Sequence, residues 1–560
     1  MKNSNLIHLV LVLSILAAGC SKNRPTQKEE NIPINAKGDL LGQEGEVENW
    51  FTKSPDLDLV EGTQADRTYV DFNLKTDVAP IIVAVIDSGV DVKHEDLQGQ
   101  IWVNEDEVPG NGLDDDKNGF VDDVNGWNFL GSYDKSRKPI NIDDTTLEVT
   151  RELVAMKKLK AQREAQGLTL SESETKYLQK LDAEVSEELK VAKESKDRFE
   201  PEYKIIKASY EILKPLLNNV ELKDLTLKLV SELSVVEVRD IAARDAIVAS
   251  MDKLKVVSVA RLLRLIARAD SALNVYYNEN FDPRKVIIGD DPSDFNDRNY
   301  GNNDLLAGDA NHGTHVSGII AAVRNNNLGI NGIATNVKIM VLRAVPNGDE
   351  YDKDVANSVR YAVDNGARIV TMSFGKAYSP YKEKVDEAFR YAAAKNVLIV
   401  HAAGNSSLNT DIFPHFPNKF MAQSGAEIST FLDVGANSEK KGLDLPAVFT
   451  NYGQSTVDIF APGVNLKSTV VGSLYATYSG TSMATPCVTG VAALVLSQYP
   501  DLSALELKAI LKNSARTYPD LIVNLPGALA EPLKVLFRKL SETGGIVDTF
   551  EALKLAASRQ

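Results

Sequence analysis

The chain has 560 residues, 43% of them hydrophobic and 25% charged, which suffices for a large buried core and more than one structural unit. A formal net charge of −16 leaves no global basic surface, so binding to nucleic acid by counterion release is disfavoured. Two cysteines, Cys20 and Cys487, are too few for a disulfide framework.

Lys2 precedes an apolar run over residues 6–18 that has the length of a signal-peptide core and is short for a membrane span. The run closes on Leu16-Ala17-Ala18-Gly19-Cys20, and small residues before a cysteine resemble a bacterial lipoprotein signal. That resemblance implies removal of residues 1–19, lipidation of the Cys20 sulfur and a lipid-anchored place in the bacterial cell envelope, at the outer membrane or periplasmic face. Residues 20–48 read as a polar tether.

Residues 49–134 read as the first part of the main domain, with helical character over 64–72. Residues 81–86 are a continuous apolar run ended by Asp87-Ser88-Gly89, the pattern of a strand buried on both faces of a parallel sheet. Asp87 then stands at the carboxyl end of a strand, where open α/β sheets collect their chemistry. In residues 111–123, Asp114, Asp116 and Asn118 alternate, Gly119 allows a sharp turn and Asp122 follows. This is the oxygen-ligand spacing of an EF-hand-type loop without its helices, with Phe120 offering a backbone carbonyl. It predicts a structural Ca²⁺; an acidic solvated turn is the alternative.

Residues 135–285 differ in character. No glycine falls between Gly167 and Gly289, and proline occurs only at 201, 215 and 283. Leu178, Leu181, Val185, Leu189 and Ala192 recur at helical spacing after a capping box formed by Ser171 and Glu174. A more apolar helical stretch covers 242–273. The segment reads as a helical insertion, a surface elaboration or a partner-binding module.

Residues 286–560 return to strand–helix alternation. The stretch 309–322 starts a small-residue helix and carries His312 and His315. Apolar runs at 339–342, 369–373 and 397–400 alternate with helices at 355–365 and 385–395, which predicts a parallel sheet. Strands at 430–435 and 457–461 follow. A glycine turn at Gly480 then delivers Ser482 to the start of an uncharged helix over 484–496, with Pro486 in its first turn. Free first-turn N–H groups and the helix dipole favour negative charge developing there. Cys487, inside this helix, reads as a small core residue. Amphipathic helices over 504–514 and 549–557 complete the chain.

Four motifs now stand together: Val85-Ile86-Asp87-Ser88-Gly89-Val90-Asp91, Asn311-His312-Gly313-Thr314-His315-Val316, Ala402-Ala403-Gly404-Asn405, and Gly480-Thr481-Ser482-Met483-Ala484-Thr485-Pro486. They resemble the subtilisin family of serine peptidases in all four motifs and in the order Asp, His, Ser. The resemblance implies an α/β, subtilisin-like three-layer fold with a mostly parallel sheet, carrying here the helical insertion. It also implies a serine endopeptidase acting on protein or peptide substrates through an acyl-enzyme.

By that resemblance Ser482 is the nucleophile, His312 its general base and later acid, and Asp87 the group that orients the imidazole. Asn405 is the side-chain oxyanion donor beside the Ser482 N–H. Ser373, Phe374 and Gly375 match the substrate-binding edge, where Gly375 would admit the substrate backbone. Ala402, Ala403 and Gly404 match another wall of the main specificity pocket, whose small residues suggest room for an apolar side chain. His315, His94 and His401 are expected to be structural, and His415 has no motif position.

The stretch before Asp87 is short for a folding-assisting propeptide besides a signal and tether, so either none is used or another segment serves, with the helical insertion a candidate to assist folding or mask the cleft. Two other readings use the same core. A latent or scaffold-type envelope lipoprotein would bind partners through the insertion, and such a degenerate core would lack a triad residue or the asparagine. A peptide ligase would transfer the same acyl-enzyme to an amine.

Overall fold

The computed structural model describes residues 49–527 and 531–559; the expected signal, Cys20 and the tether lie outside them. The centre is a nine-stranded sheet in the order Arg516–Thr517, Gly545–Ile546, Ile459–Pro462, Phe431–Asn437, Leu398–Ala402, Ile369–Met372, Ile81–Asp87, Val337–Arg343 and Gly126–Asn128. All neighbours run parallel except the edge strand Arg516–Thr517.

Alternation explains why these strands are apolar throughout. Val83 and Val85 enter a core on one face of the sheet, while Ala84 and Ile86 enter a second core on the other. Val341 and Leu342 divide in the same way. Helices Thr481–Gln498 and Asn311–Ala321 belong to the first core, and helices Asp352–Asp364 and Lys382–Ala394 to the second. Two packed cores against one sheet make the three-layer α/β architecture that the resemblance implied.

The described strands and helices match the sequence reading closely in kind. Two differences bear on function. The strand expected over 81–86 extends to Asp87, and the helix expected over 484–496 begins at Thr481. Ser482 therefore lies within the first helical turn. Three-residue Gly126–Asn128 and the hairpin Leu466–Val470 with Leu474–Tyr478 were not anticipated, since such short pieces carry little periodicity.

Between Gly126–Asn128 and the histidine helix lie four longer helices: Glu148–Ala165, Glu172–Leu213, Val238–Leu254 and Val259–Ser271. Ser171 and Glu174 form the anticipated capping box of the second. Ile206, Leu213, Ile247, Met251 and Leu262 build a core of their own, separate from both sheet cores. Buried ion pairs connect the region to the sheet domain. Lys376 Nζ meets Glu148 at 2.7 Å and Asp352 at 2.8 Å, and Arg151 meets Glu148 at 2.6 Å. Burial pushes the Glu148 carboxyl up, but Arg151 and Lys376 outweigh it and hold it at about 2. Farther along, Tyr378 Oη donates to Glu184 at 2.7 Å, three residues beyond Gly375.

Candidate active site

Asp87 ends its strand with a side chain only 2% exposed. Its Oδ1 accepts the Ser88 N–H at 2.7 Å and faces His312 Nδ1 at 2.8 Å, while the buried Oδ2 has no hydrogen-bond partner among the described residues. The histidine reaches this point because its helix docks closely on the strand end. A Cβ at Gly313 would lie 2.2 Å from the Gly89 carbonyl oxygen and 3.1 Å from the Asp87 Cβ, so the contact requires glycine after the histidine. The His312 side chain is 38% exposed, with one ring nitrogen committed to the carboxylate.

The neighbouring His315 is enclosed. Its Nε2 faces the carbonyls of Leu466 and Ala476, each at 3.1 Å, and burial pulls its pKa to about 3. This is the structural placement expected for it. His94 lies between the Leu474 carbonyl and the Asp96 N–H, likewise structural.

Every residue of the Thr481–Gln498 helix is buried except Ser482. Burial holds the Cys487 thiol in that helix well above its ordinary range, which suits an inert core residue. The helix start is capped from a distance. Asn405 Oδ1 accepts both the Thr481 N–H at 2.8 Å and the Thr481 hydroxyl at 3.0 Å. The amide orientation follows from that pair of donors, so Nδ2 points the other way. A Cβ placed on Gly480 would stand 3.6 Å from Asn405 Nδ2, 3.6 Å from the Ser482 N and 3.8 Å from Asn405 Oδ1, so the asparagine amide and the Ser482 nitrogen approach one small space beside the serine. The Ser482 N–H belongs to the first turn, which has no intrahelical carbonyl to bond. The Ser482 hydroxyl donates to the Ser373 carbonyl at 3.0 Å, and Ser373 Oγ donates back to the Ser482 carbonyl at 3.1 Å.

A residue that sequence reasoning passed over organises this loop. Asn451 Oδ1 accepts the N–H groups of Ser406 and Leu408 at 3.0 and 2.9 Å, and its Nδ2 donates to the Ala403 carbonyl at 2.7 Å. The Asn451 N–H also donates to the Gly404 carbonyl. Thr481 Oγ1, in turn, accepts the Gly404 N–H at 3.2 Å. These bonds join sequence-distant pieces, so no local pattern announces them.

The two expected substrate strips also come together. His401 Nε2 binds the Phe374 carbonyl at 2.9 Å, and its Nδ1 meets Asp433 at 2.6 Å. On its side-chain face Gly375 meets the His415 ring. A Cβ there would stand 2.2 Å from His415 Nε2, and one at Gly404 would stand 2.9 Å from the same atom. The imidazole thus lies between the strips.

At the acidic loop, ligand oxygens of Glu107, Asp114 and Asp116 lie within 4.8 Å of one another. Glu107 was not among the expected ligands, because it precedes the alternating run. Asp122 stands outside the group. Its Oδ1 accepts the Gly110 and Asn111 N–H groups and its Oδ2 the Gly112 N–H, much as Asp114 accepts the Asn118 and Gly119 N–H groups and Glu107 those of Asp115, Asp116 and Asp122. Asn118 Oδ1 is likewise occupied by the Phe120 N–H at 2.7 Å, and the Phe120 ring packs against Tyr361 and Trp127. Burial raises the Glu107 carboxyl, with the Asp123 and Asp116 charges adding to it against its amide bonds. None of Glu107, Asp114 and Asp116 has a Lys or Arg ion-pair partner among the described residues. A concentrated, uncompensated carboxylate set of this kind fits a hard cation.

Comparison with known proteins identifies the family. The sequence model of the subtilase family, Peptidase_S8, matches residues 79–529. A thermophilic serine proteinase of Bacillus sp. strain AK1 is 40% identical over 38% of this chain and 48% of its own length. Thermitase of Thermoactinomyces vulgaris is 37% identical over 36% of this chain and 67% of its own. A solved protease from Pseudoalteromonas arctica PAMC 21717 is 29% identical over 44% of this chain and 70% of that one, with a TM-score of 0.36. The match spans about half the length of the Bacillus relative. The chain belongs to the subtilase family.

Proposed function

We propose that the protein is a serine endopeptidase that hydrolyses peptide bonds through an acyl-enzyme on Ser482. The observation that carries this reading is the approach of the Asn405 amide and the Ser482 N–H to one space beside the accessible serine of a buried helix. Such donors stabilise the oxyanion of a tetrahedral intermediate, at a place where the helix dipole adds to them.

In this reading the Ser482 hydroxyl leaves the Ser373 carbonyl, gives its proton to His312 and attacks the substrate carbonyl. The imidazolium is stabilised by Asp87, whose buried carboxylate holds Nδ1 at 2.8 Å. His312 then returns the proton to the departing amine, and water repeats the sequence to release the acid. Ser373, Phe374 and Gly375 would pair with the extended substrate backbone as an added strand.

The test is labelling by a serine-reactive fluorophosphonate, run beside peptide cleavage. Wild type should be labelled and hydrolyse a peptide library, and Ser482→Ala should do neither. Absence of labelling in the wild type would overturn the reading.

We propose two accompaniments. Glu107, Asp114 and Asp116, with the Asn118 and Phe120 region beside them, would hold a structural Ca²⁺ that neutralises the carboxylates and fixes the loop. Added Ca²⁺ should raise the thermal midpoint of the wild type but not of Asp114→Asn; equal response of both would contradict this. The Cys20 resemblance supports lipid anchoring in the cell envelope, and a Cys20→Ala chain should then leave the membrane fraction. Its persistence there would refute the anchor.

A further inference from the structure

His415 is the one histidine of the site region to which the sequence motifs gave no role. Its Nε2 stands between Gly375, at the end of the candidate substrate edge, and Gly404, in the opposing candidate wall. A methyl group added to either glycine would fall within 2.9 Å of that single nitrogen. The two strips thus have no side chains where they approach each other, and the imidazole occupies that gap.

Two consequences follow. The first is steric. A ring lying between the strips takes up room there that an aromatic or long aliphatic side chain would need. The second is chemical. His401, whose ring centroid is 6.2 Å away, has both nitrogens committed, one to Asp433 and one to the Phe374 carbonyl. Neither His415 ring nitrogen has a hydrogen-bond partner among the described residues. Burial and the neighbouring His401 pull the His415 pKa to about 3, so near neutral pH the ring is an uncharged donor and acceptor. A separate cavity of about 380 Å³, lined by His401, Ala403, Thr410 and Asp433 and by neither glycine nor Ser482, also touches this ring. An apolar side chain seated against this ring would leave its polar atoms unpaired and dry, whereas a polar end group would satisfy them.

We propose that His415 is a specificity-determining residue: it shortens the pocket for the residue whose carbonyl Ser482 attacks and closes it with a hydrogen-bonding nitrogen, selecting a short polar side chain such as Ser, Thr, Asn or Asp. The inference rests on the endopeptidase reading above and names its substrate class.

The experiment is a fluorogenic peptide library varied only at that position, read with wild type, His415→Gly and His415→Asn, each first titrated with fluorophosphonate. Wild type should prefer the short polar residues over Phe and Leu by about tenfold or more in kcat/KM. His415→Gly should reverse the preference toward large apolar residues by about tenfold, while His415→Asn keeps a polar preference in a deeper pocket. A wild type that favours Phe or Leu overturns the assignment. So does an unchanged profile in whichever variant still takes the label. Failure of the wild type to react with the label or cleave any peptide overturns the endopeptidase reading itself, a distinct result.

Discussion

Two aspartate–histidine pairs stand in this molecule, alike in contact and different in setting. His312 Nδ1 lies 2.8 Å from Asp87, and His401 Nδ1 lies 2.6 Å from Asp433. The second pair is a product of sheet register, because His401 and Asp433 are direct partners on adjacent parallel strands. The first joins a strand end to a helix that glycine allows to approach. His401 is 1% exposed and its remaining nitrogen is spent on the Phe374 carbonyl, whereas His312 is 38% exposed beside the serine helix. The contact alone therefore does not make a base. What differs is the setting: His401 is enclosed within the sheet, and His312 stands exposed where a strand end meets its helix.

Breaking each pair should give opposite kinds of loss. His312→Ala should lower kcat/KM by about 10⁴–10⁶-fold with little change in thermal midpoint, because the exposed ring contributes to chemistry more than to packing. Initial-rate kinetics beside a thermal melt checks both halves. His401→Ala should instead cost about 3–5 kcal/mol of stability by leaving the Asp433 carboxylate buried and unpaired. Denaturant unfolding reads that loss, and a midpoint equal to wild type would show that the inner pair is dispensable.

Asn405→Ala should reduce kcat by about 10²–10³-fold with a smaller effect on KM, since its donor acts on charge that develops only in the transition state. Near-normal turnover would remove Asn405 from the oxyanion site. The smallest expected effect concerns the helical region. Glu148 has a folded pKa of about 2 against an ordinary 4.5, so its stabilisation is complete above pH 4.5 and is lost as pH falls toward 2. Glu148→Gln should unfold more easily than wild type at neutral pH by about 3 kcal/mol, a gap that closes in acid. A gap independent of pH would contradict the assigned ion pairing.

Much of this arrangement was legible because each candidate residue sits in a short run with its own logic. Asp87 follows an apolar strand, His312 opens a small-residue helix, and Ser482 follows a glycine turn. The parallel sheet was legible from the same apolar runs. The unread parts depend on tertiary approach. Asn405 caps the Thr481 helix from 76 positions away, which is why the helix start was placed too late. Asn451 and His415 act on loops distant in sequence, and Glu107 joins Asp114 and Asp116 from outside their spacing. Gly375 read as room for a substrate backbone and Gly404 as a pocket wall, and the His415 imidazole beside both is placed by the fold alone.

The comparison of the two pairs is tested most directly by the rate at which fluorophosphonate modifies Ser482 in wild type, His312→Ala and His401→Gln. The account predicts fast labelling of wild type, labelling of His401→Gln within about tenfold of it, and loss of labelling in His312→Ala. Equal loss in both variants, or retained labelling in His312→Ala, would contradict it.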